Sequence, residues 1–122
     1  MKIEVVRADY RDPQQAADIV FLLNAYAIDP MGGGEPLSPR VKDGLVSSLA
    51  ELPHASSLLC YVDGRPAGLV NCFEGFSTFS CKKILNVHDI AVLGEFRGLG
   101  LSQVLLAEVE ALARDRGCGK IT

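Results

Sequence analysis

Apolar positions along this chain follow two spacings, strand-like and helix-like, in alternating blocks. Ile3 to Arg7 alternates weakly and predicts a short first strand. Asp12-Pro13 then opens a helix, since aspartate suits the N-cap and proline the first helical position. Ala16, Ile19, Val20, Leu23 and Ala27 form its apolar stripe. The helix should stop near Asp29-Pro30, because the residue before a proline avoids the helical region. Met31-Gly32-Gly33-Gly34-Glu35-Pro36 reads as a linking loop. With no strand before it and no Lys-Ser/Thr after it, the glycine run does not fit a nucleotide-phosphate loop. Ser38-Pro39 repeats the start signal, and a helix from Arg40 to Leu52 follows, with Val41, Leu45, Leu49 and Leu52 on one side.

The second half opens with strands. Ser57 to Val62 is one, Asp63-Gly64 is a strong hairpin turn, and Ala67 to Phe73 is the return strand. Glu74 to Lys83 is polar and aromatic and reads as a hairpin end with a loop. Leu85 to Leu93 is the next strand. Leu101, Val104, Leu105, Val109 and Leu112 then keep helical spacing, with Glu108 the one polar interruption, in a helix expected from Leu101 to Arg116. Gly117 is placed to end that helix, and Lys120-Ile121-Thr122 resembles the first residues of another strand. The order is β, α, α, β, β, β, α, and the start of β.

At 122 residues and 48% hydrophobic content the chain suits one core and excludes disorder. A net charge of −3 leaves no electrostatic footprint for nucleic acid. No apolar run approaches the ~20 residues that span a bilayer, and no basic run marks a membrane surface. The first residues place Lys2, Glu4 and Arg7 inside a strand pattern, unlike a secretion signal. Cys60, Cys72, Cys81 and Cys118 have no Cys-x-x-Cys spacing, and His54 and His88 are the only histidines, so no metal is expected. Reduced thiols behaving as small hydrophobes are the simpler reading, and with them a cytoplasmic location.

The chemistry concentrates at Arg97-Gly98-Leu99-Gly100-Leu101-Ser102, between the last full strand and the last helix. The first N–H groups of a helix lack intrahelical partners, point one way, and sit at the positive end of the helix dipole. A phosphate or pyrophosphate fits such an end. Gly98 and Gly100 let the backbone approach an anion without a Cβ between, and Arg97 adds charge-assisted donors. Only the start of Gly-x-Gly-x-x-Gly is present, and antiparallel hairpin signals precede it, so a dinucleotide fold is disfavoured.

Arg-x-x-Gly-x-(Gly/Ala) after a strand is the acyl-CoA pyrophosphate loop of the GNAT superfamily of N-acetyltransferases, and this segment resembles it with Ser102 in the last small position. Serine there is small and of N-cap type, so the loop should survive. Val87-His88-Asp89-Ile90-Ala91-Val92 looks like the family's fourth strand and Leu101 to Arg116 like the following helix; the likeness spans roughly residues 3 to 122. It implies an α/β (α+β) fold with a mixed, mostly antiparallel sheet and flanking helices. It also implies one domain over 1–122, the N-terminal two-thirds of the family's unit, interrupted at the start of the fifth strand. The implied activity is acetyl transfer from acetyl-CoA to a primary amine of a small molecule or peptide, by direct attack in a ternary complex. Ile90, Ala91 and Val92 would pair with the pantetheine arm, and Leu99 to Ser102 with the pyrophosphate.

An amine must be neutral to attack, and for a lysine-like amine near pKa 10.4 this costs about 4–5 kcal/mol at pH 7. His88 and Asp89 are the candidate bases. Neighbours on a strand face opposite sides, so at most one should enter the cleft unless a bulge intervenes. Asp89 in an apolar strand must meet water, a donor or a substrate, because an unpaired buried carboxylate is too costly. Asp29, Glu35 and Glu74 could attract a cationic amine and Phe73, Phe76 and Phe79 could form an apolar wall, but surface charge and core packing explain the same residues, and none is assigned to the site. Tyr10, Tyr26 and Tyr61 do not align with the family's tyrosine acid. The competing reading is a non-catalytic acyl-CoA-binding or protein-interaction module built on the same fold. The fourth strand is expected to be left as an open edge, so either the residues belong to a longer enzyme, or a second chain, as in a homodimer, supplies the missing half of the cleft, or the half-site no longer catalyses.

Overall fold

The computed structural model describes residues 1–122. Five strands form one sheet in chain order: β1 (Ile3–Arg7), β2 (Ala55–Val62), β3 (Arg65–Ser77), β4 (Lys82–Val92) and β5 (Cys118–Ile121). The first three pairings are antiparallel, and β4 with β5 is parallel. Helices α1 (Pro13–Ile28) and α2 (Pro39–Ala50) cover one face, and α3 (Leu101–Asp115) covers the other. Leu58, Cys60, Val70, Cys72 and Leu85 point to the α3 layer, where they meet Leu105 and Val109. Leu59 and Leu69 point the other way, onto Ile19, Leu22 and Val46. Coverage of both faces explains why β2 and the middle of β3 read as nearly continuous apolar runs rather than alternating ones. No helix is long and apolar enough to cross a membrane.

The predicted boundaries follow from local chemistry. The Asp12 carboxylate accepts from the N–H groups of Gln14 and Gln15 at 2.9 and 3.2 Å, and Ser38 Oγ from Val41 N–H at 3.2 Å. Asp63 and Gly64 both have positive φ, 49° and 79°, as a two-residue turn between right-twisted strands requires. Gly117, at φ 71°, ends α3 as anticipated. At Gly68 a Cβ would lie 3.0 Å from Leu105 Cδ1 and 3.3 Å from the Ala91 carbonyl oxygen, so the absence of a side chain brings α3 close to the sheet.

The structure departs from expectation where solvent replaces packing. The segment expected as hairpin end plus loop is strand almost throughout: β3 runs to Ser77 and β4 begins at Lys82, with Phe76 opposite Lys83. This arm projects beyond the helices, with Phe76 and Phe79 exposed, so neither face carries the alternation that marks a strand. β5 begins at Cys118, two positions before the predicted start at Lys120, and β2 begins at Ala55 rather than Ser57.

All four cysteines are free thiols. Burial raises the Cys60 thiol pKa and pushes that of Cys72 up to about 11, while Cys81 is exposed at the tip of the projecting arm. Iodoacetamide at mild pH should therefore modify Cys81 in the native protein, with Cys60 and Cys72 reacting only after unfolding; mass mapping of the labelled sites checks this. Leu105→Ala should cost about 2–5 kcal/mol in urea unfolding, because Leu105 is fully buried where α3 meets the sheet.

Candidate active site

After β4 a single 3-10 turn, Gly94–Phe96, buries Phe96 and delivers Arg97 in an extended conformation to the start of α3. Gly98 and Gly100 have φ of +86° and +77°, where other residues are strained; a Cβ on either would meet nothing. Backbone conformation, not crowding, selects glycine here. Gly100 is the N-cap, and Ser102 lies inside the first turn without capping the helix. The Val104 N–H is the first in α3 to find a helical acceptor, the Gly100 carbonyl at 3.2 Å. The N–H groups of Leu101, Ser102 and Gln103 have no acceptor within the protein.

A cleft of about 390 Å³ leads from this helix end along Ile90, Ala91 and Val92, with Leu22, Ala25 and Tyr26 of α1 opposite. β5 accompanies β4 only over Lys83–Leu85, so Val87–Val92 have no strand partner on that side. At the mouth of the cleft, Arg97 Nη2 reaches Asp29 Oδ2 at 3.3 Å. Asp29 Oδ1 also accepts from Met31 N–H at 2.9 Å. That backbone bond, and secondly Arg97, hold the Asp29 carboxyl below the usual carboxylate range. Asp29 is thus committed to Arg97 and to its own turn. Glu74 is bound by Arg116 at 2.7 Å and Lys83 at 3.4 Å, away from the cleft.

His88 and Asp89 lie at a bulge. Cys72 pairs with Val87, but the next residue of β3, Asn71, pairs with Asp89, so His88 is the extra residue. The inserted residue resets the alternation. Leu85 and Val87 before it, and Ile90 and Val92 after it, all pack toward α3. His88 and Asp89 both line a second cavity of about 390 Å³ on the α1–α2 face, floored by Asn71 and Phe73 and walled by Leu45 and Leu49. The His88 ring stands edge-on to Phe73, with centroids 5.4 Å apart. Of the phenylalanines considered for an apolar wall, only Phe73 is at the cavity; Phe76 and Phe79 sit on the exposed arm. Tyr61 donates to Asp18 at 2.6 Å and Tyr10 is bonded to Ser57 at 2.9 Å. Tyr26 is the one residue that lines both cavities.

Asn71, which the sequence did not single out, donates from Nδ2 to Asp89 Oδ2 at 3.1 Å and accepts from Ser57 Oγ at 2.6 Å. A polar residue inside an apolar strand run was the available signal, and it acquires meaning only through cross-strand register.

The chain belongs to the acetyltransferase (GNAT) family, whose model matches residues 21–122. An uncharacterized N-acetyltransferase of Archaeoglobus fulgidus is 35% identical over 60 residues, which is 48% of this chain and 41% of that protein. The chain therefore matches well under half the length of that curated relative. Among solved structures, a ribosomal-protein-alanine N-acetyltransferase from Brucella melitensis biovar Abortus 2308 superposes with a TM-score of 0.78 at 22% identity, over 99% of this chain and 78% of that one. A GNAT family acetyltransferase from Staphylococcus aureus gives 0.81 at 17% identity, over 100% and 85%. An aminoglycoside acetyltransferase from an uncultured soil sample gives 0.77 at 18%, over 100% and 78%. These likenesses establish the fold, a mixed sheet with helices on both faces.

Because the Asp29 carboxyl titrates lower folded than unfolded, its contribution to stability is complete at neutral pH and is lost as pH falls through the folded-state midpoint. A ¹³C carboxyl titration should place the Asp29 midpoint below that of an unperturbed aspartate, and Arg97→Ala should move it part of the way back up.

Proposed function

We propose that this protein is an acyl-CoA-dependent N-acetyltransferase that acetylates a primary amine of a small molecule or peptide by direct attack in a ternary complex. One observation carries this reading: two cavities lie on either side of Tyr26, which lines both, one reaching a helix N-terminus that has no side-chain cap and the other holding Asp89 and His88. The first suits a long anionic cosubstrate and the second a cationic acceptor. The residues fit acetyl-CoA, since Gly98 and Gly100 open onto free space and the N–H groups behind them have no protein acceptor. Acetyl-CoA supplies the activated acetyl group as a thioester. Arg97 and the backbone of Gly98, Leu99, Gly100, Leu101 and Ser102 hold the pyrophosphate. The main chain of Ile90, Ala91 and Val92 holds the pantetheine arm as an added strand.

Asp89 is the base. Its Oδ1 has no partner within the protein, while Oδ2 is held by Asn71. The oxygen accepts the proton that the acceptor ammonium must lose before its nitrogen lone pair can attack the acetyl carbonyl; the C–N bond forms as the thioester C–S bond breaks, and the surplus proton on the attacking nitrogen leaves with CoA as the free thiol. His88 faces the same cavity from the outside and is the second group able to take that proton. The neighbours of this fold carry names that span a protein alanine and an aminoglycoside, both amine-bearing acceptors.

Asp89→Asn should lower kcat by about 10²–10⁴-fold while leaving the KM for acetyl-CoA unchanged, measured by thiol release with primary-amine acceptors. Arg97→Ala combined with Gly100→Glu should abolish acetyl-CoA binding in isothermal titration, and an unchanged affinity would refute the pyrophosphate placement.

A further inference from the structure

The row Ser57, Asn71, Asp89 crosses three strands, because register pairs Ser57 with Asn71 and the bulge pairs Asn71 with Asp89. Asn71 and Ser57 are 3% and 2% exposed in a layer built mainly of Leu59, Leu69 and the apolar residues of α1 and α2, where Asp18 is the other buried polar residue. Polar atoms so buried are costly unless each is paired, and here every one is. Tyr10 OH extends the row, 2.9 Å from Ser57 Oγ.

The directions of these bonds follow from donor inventory. A carboxylate accepts only, so the Asn71 amide nitrogen faces Asp89 and its oxygen faces Ser57. The single Ser57 hydroxyl proton goes to that oxygen, so the Tyr10 hydroxyl must donate to Ser57. Every donor points toward Asp89, and each bond polarises the next. An amide does not hand on a proton, so this row is a brace and not a conduit.

We infer that Asn71, backed by Ser57 and Tyr10, is a positioning residue for Asp89. It fixes Oδ2 from below the sheet surface and leaves Oδ1 directed at the acceptor cavity. The other titratable groups lining that cavity are His88 on β4 and Tyr26 on α1; α2 contributes only Leu45 and Leu49. None of them bonds Asp89. The inference rests on Asp89 being the base, and its test separates the two.

Turnover is read by thiol release from acetyl-CoA with spermidine, an aminoglycoside and an alanine-led peptide as probe amines. Asn71→Leu should lower kcat about tenfold with the KM for acetyl-CoA held within about twofold, and Tyr10→Phe should lower kcat by about two- to fivefold, as coupled neighbours do. Placed in the Asp89→Asn background, neither change should lower kcat further, because a residue that acts through Asp89 has nothing left to act on. Losses that add in full in that background, or that appear in KM alone, overturn the positioning role while leaving the base in place. Full activity of Asp89→Asn, or no turnover with any amine, overturns the base assignment and the positioning role with it. Tyr10→Phe lies at the far end of the row and keeps its ring, so it carries the test if Asn71→Leu fails to fold.

Discussion

A single inserted residue in β4 determines which side chains face which layer. Without His88 in the bulge, an unbroken alternation would carry Leu85 and Val87 toward α3 but turn Ile90 and Val92 away from it. The insertion lets one strand keep its apolar residues on α3 along its whole covered length. It also places two consecutive polar residues on the same opposite face. The hydrophobic layer and the polar cavity are thus two outcomes of one backbone irregularity. The buried apolar residues on either side of it hold the register firmly, since a slip would expose Ile90 and Val92 or bury a charge.

Helix α1 ties the remaining parts together. It packs Ile19 and Leu22 onto the sheet, presents Tyr26 between the two cavities, and ends at Asp29, whose carboxylate shapes the next turn and also reaches Arg97. Gly32 seals this end: a Cβ there would fall 1.9 Å from the Tyr26 carbonyl oxygen, so the turn lies directly against the helix terminus. The wall of the cavity and the mouth of the cleft therefore share one short segment, Tyr26 to Gly32.

The sequence made much of this legible because the informative residues act locally. Asp12, Ser38, Asp63-Gly64 and Gly117 each fulfil a requirement of their own turn or cap, and those boundaries stand within a residue or two. The projecting β3–β4 arm was obscured because period-2 patterning records a buried face and the arm has none. The site was half legible. Arg97, Gly98 and Gly100 lie together in the chain and were readable as a unit. Asn71 and Ser57 were not, since their meaning depends on strand register and on a bulge that no local residue preference announces. The left-handed Gly100 forms the cap, which leaves Ser102 as a small residue in the first turn of the helix expected from Leu101. The pairing of Asp29 and Glu74 was not legible, because their partners Arg97 and Arg116 are distant in sequence.

The contact between Arg97 and Asp29 has a consequence for how strongly the helix end can hold any anion. The carboxylate is a tethered rival for the same guanidinium, present at an effective concentration that dilution cannot lower. The net affinity for an incoming anion would be set by the difference between two associations, not by the strength of one. Both partners are partly exposed, so dissolved ions weaken the internal association as well as the external one. Anion binding at this end of the molecule should consequently respond less steeply to ionic strength than its count of positive groups suggests.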